Sequence, residues 1–252
     1  MIYTTAATVF CGCAVLTLYF VATMAGGMAM PGGWTMSMMW MRMPGQSWPT
    51  AGAVFVAMWV AMMIAMMLPS ALPMLLLYRR AVGFRCESSV ALATWCVGAG
   101  YFAVWTAFGV AAYAIGIALG DGAMRSETFS RAIPLASALA LVIAGAYQLT
   151  PWKTACLRHC RDPFHLMAHH LGRGGWRGAL ALGLHHGAFC AGCCWGLMLM
   201  QLVLGVMNVG AMVVVAGVIA AEKLLLRGVF IARAVGAAAI VAGAAMALRA
   251  VL

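Results

Sequence analysis

The chain has 252 residues, of which 65% are hydrophobic and only 8% are charged, and its mean hydropathy is +1.00. These values exclude an ordinary soluble domain and predict an all-α, polytopic membrane protein, because apolar runs long enough to cross a bilayer recur along the sequence. The net charge of +10 is scattered through the predicted loops, which indicates membrane topology rather than nucleic-acid binding.

Seven transmembrane helices are predicted in a single domain that covers residues 1–252 and is surrounded by the lipid bilayer. They occupy about residues 2–24, 50–78, 88–118, 132–150, 178–207, 209–226 and 229–250. No basic residue precedes Arg42, so the first segment lacks the charged region of a cleavable signal peptide. We therefore expect a retained first helix.

The distribution of basic residues predicts the orientation of the chain. If the N-terminus is cytoplasmic, most of the 15 Lys and Arg residues lie on the inner side: Arg79, Arg80, Arg85, Lys153, Arg158, Arg161, Arg173, Arg177, Lys223, Arg227 and Arg233. This is the asymmetry that the positive-inside rule describes. The sequence therefore predicts a cytoplasmic N-terminus and an extracytoplasmic C-terminus.

A methionine-rich connector at 26–48 follows the first predicted helix and is expected to be extracytoplasmic. Its methionines include Met36, Met38, Met39, Met41 and Met43. Thioethers bind Cu(I) without needing deprotonation, so this connector is one candidate for a copper site. The alternative is an interfacial segment that places its tryptophans, Trp34, Trp40 and Trp48, at the depth of the headgroups.

The second predicted helix carries methionines at a spacing of four residues. Met58, Met62 and Met66 share one face, and Pro69 and Pro73 continue near it. Each proline removes a backbone hydrogen bond and predicts a kink. A methionine stripe is typical of core packing; if thioether ligands lie here, Met62 and Met66 are the candidates.

A polar segment at 151–177 is predicted to be a cytoplasmic loop rich in cysteine and histidine. Cys156 and Cys160 are four residues apart, and four histidines are close by: His159, His165, His169 and His170. Paired cysteines in a reducing compartment are typical of metal or redox sites rather than of structural disulfides. We interpret His169 and His170 as solvated loop residues.

The fifth predicted helix carries the densest cluster of soft donors. His186, Cys190 and Cys193 fall within about 60° of one another on a helix, and Cys194 lies about 40° beyond Cys190. Because hydrocarbon does not satisfy such groups, metal coordination is the leading explanation. Thiolate and imidazole donors predict copper, with zinc as the alternative, and we expect the two cysteine clusters to form one site.

The remaining cysteines and charges carry weaker predictions. We interpret the isolated Cys11, Cys13, Cys86 and Cys96 as inert small hydrophobic residues. Glu222 and Lys223 stand near the inner end of the sixth predicted helix. They are either a functional pair or a structural one, with Glu222 bonded to a basic neighbour such as Arg227.

Several of these motifs together resemble one protein family. They are AMMLPSALP, K-x-x-C-L-x-x-C-R-x-P, H-G-x-x-C-x-G-C-C-W-x-L-M and the later Glu-Lys pair. The chain resembles, over roughly 54–248, a bacterial family of predicted metal-binding integral membrane proteins, which implies a location in the inner membrane of a bacterium. The resemblance implies roles for the residues that match: Met66, Met67, Pro69, Cys156, Cys160, His186, Cys190, Cys193, Cys194 and Glu222.

The sequence suggests two functions that belong to different classes of protein. The first is a non-enzymatic copper-handling protein that transports the metal, delivers it or serves as an accessory subunit beside other membrane subunits. The second is a membrane thiol–disulfide oxidoreductase that uses paired cysteines with a quinone. A structural subunit whose cysteines bind nothing is the third interpretation. The sequence contains no phosphate-binding glycine loop and no HExxH motif.

Overall fold

The computed structural model describes residues 2–24, 26–41, 45–83, 90–172 and 175–251. Within these ranges the chain forms nine α-helices and one short hairpin: α1 (Ile2–Met24), β1 (Gly27–Met30), β2 (Trp34–Ser37), α2 (Trp48–Gly83), α3 (Val90–Arg125), α4 (Glu127–Gln148), α5 (Pro151–Arg161), α6 (Phe164–Leu171), α7 (Gly175–Leu204), α8 (Val209–Leu224) and α9 (Gly228–Val251). The predictions for Arg42, Met43, Arg85, Cys86, Arg173 and the side chain of His165 lie outside the described part of the chain.

Six helices in the described ranges are long and apolar enough to cross a membrane: α1, α2, α3, α4, α7 and α9. The predicted all-α, polytopic helical fold is thereby confirmed. α8, which corresponds to the sixth of the seven predicted spans, has only 16 residues and extends about 24 Å, less than the roughly 30 Å of hydrocarbon. Its last turn carries Glu222 and Lys223.

Side-chain caps fix where the shorter helices begin. Thr150 accepts a hydrogen bond from the backbone N–H of Lys153, and Pro151 follows it at the first turn of α5. Asn208 accepts a hydrogen bond from the N–H of Ala211 at the start of α8. Both residues satisfy N–H groups that a helix start leaves unpaired. The caps therefore separate α5 and α8 from the long helices that precede them.

Glycines bring two helix pairs into close contact. A methyl group added at Gly183 of α7 would overlap the backbone carbonyl of Val97 in α3, and one added at Gly145 of α4 would come within 2.6 Å of the carbonyl of Gly236 in α9. Small residues let membrane helices approach where lipid supplies no hydrophobic driving force between them. The α3–α7 contact fixes the position of α7, the helix that carries Cys190, Cys193 and Cys194.

The methionine-rich connector contains a β-hairpin that the sequence did not predict. β1 and β2 pair antiparallel, with Met30 opposite Trp34, and Gly32 and Gly33 supply the positive φ angles of the turn. The indole N–H of Trp34 donates to the carbonyl of Ser130 at 3.0 Å. The hairpin is therefore anchored on the first turns of α4.

The segment predicted as a polar loop at 151–177 contains two helices, α5 and α6. They follow the end of α4, opposite the end on which the hairpin is anchored. The 22 residues of α4 extend about 33 Å, close to the thickness of the hydrocarbon core. The hairpin and α5 consequently lie near opposite ends of the bundle.

Candidate metal centre

Three cysteine sulfurs of α7 form a compact group at the centre of the molecule. The side chains of Cys190, Cys193 and Cys194 are fully buried, and their Sγ atoms all lie within 4.8 Å of one another. The Sγ atoms of Cys193 and Cys194 are 3.3 Å apart. Residues three and four positions apart share a helix face, so this sequence spacing produces the group directly. We call these three residues the cysteine triad.

A fourth sulfur approaches the triad from α5. The Sγ of Cys160 lies 3.6 Å from the Sγ of Cys193, and the Cys160 side chain is only partly buried. Cys156 differs, since its Sγ lies against Gly192 and it is not a member of the triad. The structure therefore brings the two predicted clusters together through Cys160.

Lys223 and Tyr101 both contact Cys190. The Lys223 ammonium donates to the Sγ of Cys190 at 2.9 Å, and the Tyr101 hydroxyl lies at the same distance from this sulfur. Lys223 also donates to the hydroxyl of Ser70 in α2 at 3.4 Å. Cys190 is thus held by groups from α3 and α8, and Lys223 connects this sulfur to α2.

A buried ion pair stands beside the triad. The Nζ of Lys153 lies 2.6 Å from the Oε2 of Glu222, and both side chains are 1% exposed. Gln148 donates to the other carboxylate oxygen at 3.2 Å, and Lys153 also donates to the carbonyl of Cys193. Burial by itself lowers the pKa of Lys153, but Cys194 and the Glu222 carboxylate more than offset it, so the pKa lies above its ordinary value.

The site differs from the sequence-based expectation in two respects. Glu222 pairs with Lys153 rather than with Arg227, because α5 turns back against α8. Tyr101 and Lys153 were not predicted to belong to the site at all. The spacing of Lys153 ahead of Cys156 and Cys160 in one helix was the available signal, since α5 presents all three toward α7.

The histidines form a separate group on the α5–α7 side. The ring of His159 stacks on Phe189 at 4.5 Å, and His185 stacks on the same phenylalanine at 5.2 Å. His170 is buried, and its Nε2 lies 3.2 Å from the Nδ1 of His185. His170 is therefore not the solvated loop residue that we expected, whereas His169 is exposed.

His186 lies one helical turn before Cys190. Its side chain is 4% exposed, and its ring centroid is 5.7 Å from that of Tyr101. The buried Nδ1 of His186 has no hydrogen-bond partner within the described structure. A buried nitrogen without a partner is costly, and a metal ion is one group that would satisfy it.

The two predicted thioether candidates are buried in α2. Met62 and Met66 belong to the same continuous cluster of buried residues as the triad. Met66 lies one turn before Ser70, and Met62 lies one turn before Met66. These methionines therefore lie one and two turns before Ser70, which accepts a hydrogen bond from Lys223, within the buried cluster that contains the triad.

The donor set suits a soft metal ion. Sulfur ligands select Cu(I), zinc or iron–sulfur chemistry over magnesium or calcium. The triad alone supplies three sulfurs, and Cys160 supplies a fourth from a separate helix. The nearby carboxylate of Glu222 is already engaged by Lys153 and Gln148. Sulfur is consequently the main donor that this centre offers, and the Nδ1 of His186, unpaired among the described residues, belongs to a residue one helical turn before Cys190.

A helical membrane-type bundle with a buried sulfur-rich centre defines a class of protein suited to handling soft metals. A family model described as PpoB2, a copper chaperone, matches residues 56–246, and the chain belongs to this family. The family match and the triad together support the predicted copper handling. Comparisons with curated proteins and with solved structures found no match.

Proposed function

We propose that this protein binds Cu(I) at the cysteine triad within a bacterial inner membrane and delivers the ion to an acceptor protein. Copper is the cargo in this proposal, and the function is not enzymatic. The observation that carries the proposal is the mutual approach of three buried Sγ atoms within 4.8 Å. Such a group has no apolar packing role that would require sulfur at all three positions.

A buried ammonium group makes a thiolate centre more tolerable in apolar surroundings. Three thiolates and one Cu(I) carry a net charge of about −2, which is costly to bury without compensation. Lys223 contacts the Sγ of Cys190 directly, and Lys153 contacts the carbonyl of Cys193. The Lys223 ammonium is therefore placed to offset part of the charge of the loaded centre, whereas the charge of Lys153 is already balanced by Glu222.

Cys160 supports delivery rather than storage. It belongs to a short helix at one end of the bundle, is partly exposed and lies 3.6 Å from the Sγ of Cys193. A Cu–S bond to Cys160 can form as the Cu–S bond to a triad thiolate breaks. The Cys160 thiol passes its proton to the released thiolate, and the copper stays Cu(I) throughout. An incoming acceptor thiolate can then replace Cys160 by the same exchange.

Competition with a high-affinity Cu(I) chelator tests this proposal. The full-length protein is purified in detergent, reduced, loaded with Cu(I) without oxygen and titrated with the chelator. We expect the wild-type protein to retain one Cu(I) per chain and Cys193→Ser to lose it, since Cys193 neighbours both Cys194 and Cys160.

Cys11→Ser is the matched control for this titration. Cys11 is exposed on α1, so its substitution should leave the titration unchanged. A Cys193→Ser protein that holds Cu(I) as tightly as the wild type would contradict the proposal. Equal losses for Cys11→Ser and Cys193→Ser would also contradict it, because they would indicate surface thiols as the binding groups.

A thiol oxidoreductase is the second candidate, and the Cys160–Cys193 approach favours it. The eight described cysteines contain no disulfide, yet a small shift would bring these two sulfurs to bonding distance. Two thiols would form a disulfide and pass two electrons and two protons to a quinone, giving the quinol. Thiol counting before and after addition of a soluble quinone separates the functions, because the copper-delivery function predicts no loss of thiols.

A further inference from the structure

We propose that the cavity between the end of α1, residues 38–41 after the hairpin and the start of α2 is a second Cu(I) site, built from thioethers. Its existence does not depend on the cysteine triad; only its role as the source of the triad's copper rests on the proposed function. The cavity has a volume of about 270 Å³ and lies at the end of the bundle that carries the hairpin. Five methionines line it: Met24, Met38, Met39, Met41 and Met58.

The cavity is not explained by ordinary methionine packing. Flexible methionines normally fill irregular gaps in a core. Here they surround a space that they leave open, and that space exceeds the roughly 30 Å³ that one liquid water occupies. Met39 and Met58 are nonetheless well buried, so their side chains are held in place around the cavity.

The lining selects for a soft monovalent ion. Its described residues include no carboxylate, imidazole or thiol, and the polar side chains are those of Thr23 and Gln46. Thioethers are neutral and soft, so they bind Cu(I) or Ag(I) and discriminate against zinc, calcium and magnesium. Thioether ligands also form no disulfides, which suits a site on the oxidising side of a membrane.

The position of the cavity connects it to the triad. Met58 lies at the cavity, and Met62 and Met66 follow at intervals of one turn, about 6 Å each, on the same side of α2. Both are buried, and all three belong to the cluster that contains the triad. The next turn carries Ser70, which accepts a hydrogen bond from Lys223, and Lys223 contacts Cys190.

Substituting three cavity methionines tests the site in the otherwise native protein. Leucine keeps the volume and the apolar character but removes the sulfur, so the variant is Met38→Leu, Met39→Leu, Met41→Leu. Bound Ag(I) is measured by elemental analysis after equilibrium dialysis. We expect the wild type to hold two ions per chain and the cavity variant to hold one.

The matched control is a triple variant of exposed methionines, Met28→Leu, Met124→Leu and Met246→Leu. It should retain two ions. If the cavity variant also retains two, or if both variants lose an ion, the thioether site is wrong. Circular dichroism and gel filtration first confirm that each variant is folded.

A variant without the triad makes the two proposals separately testable. In the triple variant Cys190→Ser, Cys193→Ser, Cys194→Ser, X-ray absorption at the silver edge should show one weakly held ion coordinated by thioether sulfur. Retention of that ion supports the cavity site whether or not the triad binds copper in the wild type. Its absence in a folded triad variant overturns the cavity site and leaves the triad proposal standing. If this variant does not fold, the methionine variants decide the question.

Discussion

Lys153 and Glu222 lie 69 residues apart in sequence and form a fully buried ion pair, with 2.6 Å between Nζ and Oε2. The same lysine donates to the carbonyl of Cys193, so the pair fixes α5 and α8 against the triad on α7. Breaking one member of such a pair strands the other charge in apolar surroundings. This pair is therefore the structural support of the proposed centre.

We expect Glu222→Gln to lower the free energy of unfolding by about 3–5 kcal/mol, because Lys153 is left as an unpaired buried cation. Thermal unfolding in detergent, followed by circular dichroism, measures the change. Glu127→Gln is the control: Glu127 pairs with Arg131 on the surface, where the Glu127 side chain is 65% exposed, and such pairs contribute about 0–1 kcal/mol. Equal effects of the two substitutions would show that the buried pair is not structurally special.

Lys223→Met should weaken Cu(I) binding at the triad. The substitution keeps an unbranched chain but removes the ammonium that contacts Cys190. A hydrogen bond to a charged group contributes roughly 1.5–3 kcal/mol, so we expect a loss of tenfold or more in the dissociation constant. Chelator competition gives this constant. Ser70→Ala removes only the second contact of Lys223 and should have a smaller effect; the reverse order would exclude charge compensation by Lys223.

Gly183→Ala should destabilise the protein by overpacking the α3–α7 contact. The added methyl group meets the backbone carbonyl of Val97, which cannot move aside as a flexible side chain can, and such overpacking costs about 1–3 kcal/mol. Gly98→Ala is the control on α3, since a methyl group there has nothing within 4 Å. We expect the melting temperature to fall for the first variant only. A lower melting temperature for both would point to a general intolerance of substitution.

Reporter fusions test the predicted topology. The hairpin and α5 lie near opposite ends of α4, so fusions after Gly45 and after Gly172 should give signals from opposite sides of the membrane. The distribution of basic residues predicts that Gly45 is extracytoplasmic and Gly172 cytoplasmic. Signals from the same side would contradict the fold's insertion across the bilayer, and exchanged signals would reverse the predicted orientation.

The sequence predicted those features that depend on spacing within one helix. Cys190, Cys193 and Cys194 share a face because of helical periodicity, whatever surrounds them. The approach of Cys160 was predicted from the shared side of the two clusters. Tyr101 and Lys153 were missed because their roles depend on which helices become neighbours, and a single sequence does not specify this.

The hairpin and α8 show two further limits of prediction from the sequence. β1 and β2 are four residues each, too short for an alternating pattern to distinguish them from an interfacial segment. α8 ends at Leu224, two residues before the end predicted from the sequence, because the apolar Leu225 and Leu226 follow it in the turn before α9. Hydropathy records apolar character and does not record where backbone hydrogen bonding ends.

Copper K-edge X-ray absorption of the reduced, Cu(I)-loaded protein tests the central claim most directly. After weakly bound metal is removed with a chelator, we expect one Cu(I) per chain surrounded by three sulfur scatterers in the wild type and in Cys11→Ser. We expect loss of that ion in Cys193→Ser. A first shell of nitrogen or oxygen in the wild type, or an unchanged sulfur shell in Cys193→Ser, would contradict a Cu(I) centre at the cysteine triad.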